Sequence, residues 1–158
     1  MTYEVALVAA PGHPVLASPA DAATLREQTW LLGPAAADDL GAVPCLVGSL
    51  GVPEHRQHIF QSQAAALAEA ERGLGVAPAL SFTVREALAA GRLARVDHPA
   101  AHAEGSWSVM ALPDHAQVAA AAELVRFVST PRALQAMLRG TGVGIRRFRP
   151  AVHVTLWS

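Results

Sequence analysis

The feature that most constrains the fold is a regular alternation of short apolar segments with helix-forming segments. Apolar segments at 3–10, 29–32, 76–80 and 92–96 have the composition of strands, and 56–60 alternates apolar with polar residues. Helix-forming segments separate them, and this alternation is typical of a sheet whose strands run parallel and whose faces are both covered by helices. The sequence therefore predicts an α/β fold with a doubly wound, largely parallel sheet.

Glycines mark the ends of the predicted helices. A helix over 44–50 ends at Gly51, and a helix that Ser62 caps ends at Gly73. A residue without a Cβ atom adopts the left-handed conformation at little cost, which is why glycine so often ends a helix. Gly73 and Gly75 follow a helix, whereas a phosphate-binding loop precedes one. We therefore interpret this glycine pair as a helix exit.

The sequence of the C-terminal third predicts one further strand and two further helices. The strand covers 106–112, after a loop at 97–105 that is rich in histidine, proline and alanine. A helix over 115–128 follows, and a second one begins at Thr130, just before a first-turn proline. The first of these helices carries an apolar stripe at helical spacing, which consists of Val118, Ala121, Ala122 and Val125.

Composition excludes several classes of protein. Hydrophobic residues make up 52% of the 158 residues, yet no apolar run reaches the roughly 18 residues that a membrane span needs. A net charge of −1 offers no general attraction to nucleic acid. The single cysteine, Cys45, excludes an internal disulfide and suits a reducing cytoplasm. The chain has one basic cluster, which either binds a phosphate or an acidic partner surface, or is simply solvated. Its residues are Arg139, Arg146, Arg147 and Arg149.

The residues do not assemble a recognisable catalytic or metal site. His98 and His102 lie near Glu104 in a proline-containing loop, which is either a loose metal site or, more commonly, a set of solvated side chains. The segment 48–51 lacks the G-x-S-x-G spacing of a nucleophile elbow. We therefore expect a protein that is not an enzyme and that holds neither a cofactor nor a metal.

Five motifs follow one another along nearly the whole chain. They are His13-Pro14-Val15, Trp30-Leu31-Leu32, Ser62, Gly73-Leu74-Gly75-Val76-Ala77, and Val84 to Gly91-Arg92-Leu93. Their order and spacing resemble the effector-binding, substrate-binding-like region of LysR-type transcriptional regulators. The resemblance implies two Rossmann-like subdomains of the periplasmic-binding-protein kind, joined by crossover strands, with a small-molecule effector in the cleft between them.

The resemblance also implies a division of the chain. Residues 1–105 resemble a complete subdomain II, and 106–158 resemble the return strand and closing helices of a partial subdomain I. On this view the winged helix-turn-helix and the first half of subdomain I are absent, so DNA is bound only through a domain that this chain lacks. The unmatched apolar surface of 106–158 then either folds back onto 1–105 or pairs with a second copy in a homodimer.

The expected effector site lies beyond the C-terminal ends of the strands, where helices begin. The residues at those places are Gly33, Pro34, Gln61, Ser62, Ala79 and Phe82. Because no arginine falls among them, a neutral or monoanionic effector is at least as well matched as a dicarboxylate. Two alternatives stay open at this point: a stand-alone small-ligand-binding protein, and a small α/β enzyme.

Overall fold

The computed structural model describes residues 2–17, 21–38 and 41–139. The chain divides into two compact units, Met1–Ser108 and Val109–Ser158. Arg146, Arg147 and Arg149 of the basic cluster lie outside the described residues. None of the helices in the described part of the chain is long and apolar enough to cross a membrane.

The first unit alternates strands and helices as the sequence predicts. Its elements are β1 (Thr2–Ala9), α1 (Ala22–Arg26), β2 (Trp30–Leu32), α2 (Ala42–Leu50), β3 (Gln57–Ile59), α3 (Gln63–Glu71), β4 (Ala77–Leu80), α4 (Arg85–Ala89), β5 (Ala94–Arg95) and β6 (His102–Ser106). Short 3-10 helices at 14–16, 34–37, 54–56 and 99–101 connect several of them.

The sheet is mixed, which corrects the expectation of a largely parallel one. β2 pairs in parallel with β3, and a parallel bridge between Trp30 and Val76 joins β2 to the start of β4. β1, however, is antiparallel to all three of its partners, β4, β5 and β6. The apolar sequence of β1 shows that the strand is buried, but it carries no information about direction.

Helices cover both faces of β1, so the unit is doubly wound. Val5, Leu7 and Ala9 point into a core that includes buried residues of α1 and α2. Val8 points the other way, into a second core built from α3 and α4. Trp30 is the largest fully buried side chain, and its indole N–H donates to the Leu25 carbonyl at 2.9 Å, so its one polar atom is satisfied.

The structure confirms the helix ends predicted at Gly51 and Gly73 and the helix start predicted at Ser62. Gly51 and Gly73 have φ of 62° and 84°, the left-handed conformation expected after α2 and α3. The Ser62 hydroxyl accepts the Ala65 N–H at 3.2 Å, which makes Ser62 the N-cap of α3. The start of α2 differs by two residues, because Gly41 is its N-cap and Pro44 lies inside the first turn.

The segment around Ser106 overturns one strand prediction. The loop expected at 97–105 contains β6, which pairs with β1, whereas the strand expected over 106–112 ends at its first residue. Met110 is 95% exposed, and the residues from 107 to 113 belong to neither a helix nor a strand. β6 escaped prediction because its sequence, His-Ala-Glu-Gly-Ser, is almost devoid of apolar residues.

The second unit contains two α-helices and one 3-10 helix, Asp114–Ala116, within its described residues, so the helix predicted over 115–128 begins later than expected. The α-helices are α5 (Ala119–Val128) and α6 (Pro131–Leu138), and Thr130 caps the second of them as predicted. Within the predicted apolar stripe, Ala121, Ala122 and Val125 are half-buried, whereas Val118 is exposed.

Candidate functional site

A cavity of about 650 Å³ opens in the first unit where β2 and β4 end and α2 and α3 begin. The residues that follow β2, at 34–35, form one wall. The first residues of α2 and α3, at 41–43 and 63–64, form two more, together with Leu67. β4 contributes 78–80. The cavity therefore lies beyond the carboxyl ends of parallel strands, where ligands collect in open α/β sheets.

The remaining lining residues come from β1 and from the segments beside it. Tyr3 and Val5 belong to β1, and Trp107 follows β6 directly. Thr83 lies between β4 and α4, where its hydroxyl donates to the Leu80 carbonyl at 2.8 Å. Within the described part of the chain, Asp38 is the only lining residue with a formal charge. Most of the surface that a ligand would meet is therefore apolar.

Two helix N-termini border the cavity. The first N–H groups of a helix have no partner within it, and they carry the positive end of the helix dipole. In α3 the Ser62 hydroxyl satisfies the N–H of Ala65, while Gln63 and Ala64 line the cavity. This arrangement suits a ligand that presents an oxygen atom to the start of α3.

Gln63 holds the start of α3 against the sheet. Its side-chain amide donates to the Pro78 carbonyl at 2.9 Å and so joins α3 to β4. Gly33 allows this approach, because a Cβ atom there would lie 3.0 Å from the Gln63 Cα and 3.2 Å from its Cδ, and would overlap Oε1. The shape of the cavity wall at the start of α3 therefore depends on both Gly33 and Gln63.

Comparison with known proteins identifies a family whose sequence model matches this chain. The model of the LysR substrate binding domain matches residues 1–132. The chain belongs to this family. Two HTH-type transcriptional regulators from two strains of Mycobacterium tuberculosis are each 47% identical to it over all 158 residues. Those 158 residues are 49% of each relative, so the chain spans about half the length of the curated relatives it matches.

Solved structures of LysR-type regulators share the fold. The effector domain of the transcriptional regulator AmpR of Pseudomonas aeruginosa aligns with a TM-score of 0.59 at 21% identity, covering 88% of this chain and 66% of that one. The regulatory domain of MetR from N. meningitidis aligns with a TM-score of 0.52 at 17% identity, covering 65% and 49%. The predicted Rossmann-like, periplasmic-binding-protein-like α/β class is therefore confirmed, and the chain is a LysR effector-binding domain.

The structure brings the site residues predicted at the C-terminal ends of the strands to one region without placing them all in the cavity. Pro34 and Ala79 line it, and Gly33 packs against Gln63, which also lines it. Gln61 and Ser62 are exposed and precede Gln63, and Phe82 packs edge-on against Trp107. Whether these residues contact an effector stays a prediction.

Sequence reasoning missed Gln63 and the aromatic residues Tyr3 and Trp107 among the lining residues. Gln63 follows the N-cap, a position usually assigned to helix formation alone. Trp107 was assigned to a strand that does not form. A signal did exist for Trp107, because aromatic residues make up only 5% of this chain. An aromatic residue at a strand end in such a chain is a candidate for ligand contact.

A charged cluster lies next to β1. Ser81 donates to the Glu4 carboxylate at 2.9 Å, and Arg95 forms an ion pair with the same carboxylate. Partial burial raises the pKa of Glu4, but the hydrogen bonds from Ser81 and Arg95 outweigh it and hold that pKa below its usual value. None of these three residues lines the cavity, and we assign them a structural role that ties β1 to β4 and β5.

Two of the seven histidines stabilise turns of the chain. His13 and His98 each precede a proline, and the Nδ1 atom of each accepts the backbone N–H two residues later, at 3.2 Å from Val15 and 3.0 Å from Ala100. Among residues 2–17, 21–38 and 41–139, no three histidine, cysteine or acidic side chains lie close enough to hold a metal ion.

Proposed function

We propose that the cavity beside α3 is where a small-molecule effector binds, and that the first unit is subdomain II of a LysR-type regulator. The observation that supports this most directly is the position of the cavity, at the carboxyl ends of β2 and β4 and at the starts of two helices. On this proposal the second unit is part of subdomain I, and effector binding regulates transcription through a DNA-binding domain outside this chain.

The chemistry of the lining favours sensing over catalysis. Among the described lining residues, the Thr83 hydroxyl is engaged with a backbone carbonyl and the Gln63 amide is engaged with Pro78. Nucleophilic catalysis needs a nucleophile that donates its proton to a base, and the Thr83 hydroxyl donates instead to the backbone carbonyl of Leu80. We propose that the protein binds its effector unchanged, as a homodimer.

The experiment compares two variants of the same helix. Ala64 lines the cavity and Ala68 does not, yet both are exposed residues of α3. The wild-type chain, Ala64→Trp and Ala68→Trp are melted with and without a mixture of small organic acids and amides. A ligand present at about 100 times its Kd stabilises the folded state by about 2.7 kcal/mol. We expect this stabilisation in the wild type and in Ala68→Trp.

Ala64→Trp should lose the response, because the indole occupies the space that the effector needs. Its own melting temperature should resemble that of Ala68→Trp, since both substitutions add an indole to an exposed position on one helix. If Ala64→Trp responds to the mixture as well as the control variant does, the effector binds elsewhere and the proposed site is wrong.

A further inference from the structure

Three aromatic residues form one surface at the side of the cavity. The ring centroids of Tyr3 and Trp107 are 4.7 Å apart with an interplanar angle of 33°, and both residues line the cavity. Phe82 meets Trp107 edge-on, with centroids 5.8 Å apart and planes at 73°. We call Tyr3, Trp107 and Phe82 the aromatic ledge. Trp107 is still 39% exposed, so part of its ring is available to a ligand.

The strand pairing fixes the position of the ledge. Tyr3 of β1 lies opposite Gly105 of β6, and a Cβ atom at Gly105 would lie 2.6 Å from Tyr3 Cε2 and would overlap Cζ. The Tyr3 ring therefore rests on the glycine backbone, an arrangement in which an aromatic side chain covers a glycine on the neighbouring strand. A ring held in this way needs little further ordering when it binds a ligand, which lowers the entropic cost of binding.

The formal charge of the lining side chains disfavours an anion. Among the lining residues that the structure describes, Asp38 is the one that carries a formal charge, and none is a lysine, arginine or histidine. A ligand carboxylate would meet a like charge in a mostly apolar cavity, and a dicarboxylate would do so twice. A carbonyl oxygen can still accept hydrogen bonds from the first N–H groups of α3 without bringing a full negative charge.

We infer that the effector is an uncharged planar ring that bears a carbonyl group, such as an aromatic carboxamide, and that the ring stacks on the aromatic ledge. This inference rests on the proposed function of the cavity and narrows the class of ligand. The ring contacts Trp107 and Tyr3, the carbonyl oxygen faces the start of α3, and the amide N–H groups face the Asp38 carboxylate.

Four small probes separate the contributions of planarity and charge. Benzamide, benzoate and phthalate carry the same ring with net charges of zero, minus one and minus two, and cyclohexanecarboxamide replaces the planar ring with a saturated one. Each probe is titrated into the full chain by isothermal calorimetry. Aromatic stacking should make benzamide bind about two- to twelve-fold more tightly than cyclohexanecarboxamide. Benzoate should bind more weakly than benzamide, and phthalate more weakly than benzoate.

Two substitutions test whether the ledge causes the preference. Trp107→Leu should bring the affinities for benzamide and cyclohexanecarboxamide together, while Trp107→Phe should keep benzamide ahead. Circular dichroism verifies that each variant is folded. If Trp107→Leu does not fold, Trp107→Phe, which keeps an aromatic ring, still tests the preference for benzamide. Equal affinities in the wild type, a preference that survives Trp107→Leu, or tighter binding of phthalate would each overturn the inference.

Failure of this inference is distinguishable from failure of the proposed site. If none of the four probes binds, but the mixture of acids and amides stabilises Ala68→Trp and not Ala64→Trp, the cavity binds an effector of another class and only the inferred class is wrong. If the mixture stabilises both variants equally, or stabilises neither them nor the wild type, the site itself is wrong and the inferred class is wrong with it.

Discussion

Replacing Gly33 with alanine should distort the start of α3 although the backbone at that position is unstrained. Gly33 has φ of −87°, which alanine adopts readily, so any cost must come from contacts. The added Cβ atom would lie 3.0 Å from the Gln63 Cα and 3.2 Å from its Cδ. Because the Cα atom belongs to the backbone of α3, rotating the Gln63 side chain relieves only part of the overlap.

The cost has two components that the structure allows us to estimate. Forcing an extra methyl group into a packed site typically destabilises a protein by about 1–3 kcal/mol. Moving Gln63 also weakens its hydrogen bond to the Pro78 carbonyl, and such a bond is worth about 1 kcal/mol. The two components together amount to about 1–4 kcal/mol, which for a chain of this length lowers Tm by about 2–16 °C.

Chemical denaturation of the wild type and four variants measures the effect. Gly12→Ala is the matched control, because nothing lies within 4 Å of the position that its Cβ atom would occupy. Gln63→Ala removes the side chain that the new methyl group meets. The double variant should therefore be more stable than the sum of the two single losses predicts, by about 1 kcal/mol. If Gly33→Ala is as stable as Gly12→Ala, or if the two losses simply add, the close contact between these residues does not constrain α3.

Three further predictions follow from contacts in the first unit. Ser62→Ala removes the N-cap of α3 and should lower the free energy of unfolding by about 1 kcal/mol, measured by urea denaturation with Ser62→Asn retaining the cap. Gly75→Ala should be at least as costly as the substitution at Gly33 and should reduce the yield of folded protein, because its Cβ atom would overlap the backbone carbonyl oxygen of Thr29. Burial lowers the pKa of His13 from 6.5, and its Nδ1 atom must be unprotonated to accept the Val15 N–H. Its contribution to stability is therefore present above about pH 6.5 and lost as the pH falls through the folded-state pKa, and melting His13→Ala across this range should show a shallower pH dependence than the wild type.

Local signals in the sequence accounted for four helix boundaries. Gly51 and Gly73 ended their helices, and Ser62 and Thr130 began theirs, because each of these residues acts through contacts within its own turn. Such signals do not depend on the rest of the fold. They can therefore be read from a single sequence.

Pairing across the sheet was not predictable in the same way. β1 is antiparallel to its neighbours, and β6 is formed from polar residues that become a strand only because β1 offers an edge beside them. The cavity depends on such long-range pairing, since Tyr3 and Trp107 meet only after β6 has aligned with β1. The sequence therefore located the edge of the sheet at which the cavity lies, but not the side chains that line most of its apolar wall.

The lining residues divide into two groups with different expected behaviour when they are substituted. The polar groups of Gln63 and Thr83 already bond to backbone carbonyls, as the Ser62 hydroxyl beside them bonds to a backbone N–H. Substituting any of the three should lower stability and effector affinity together, because the cavity wall moves. Trp107 is partly exposed and contacts the rings of Tyr3 and Phe82, so its loss should reduce affinity more than stability. A plot of affinity against the free energy of unfolding should therefore place Trp107→Leu off the line on which the other three variants fall.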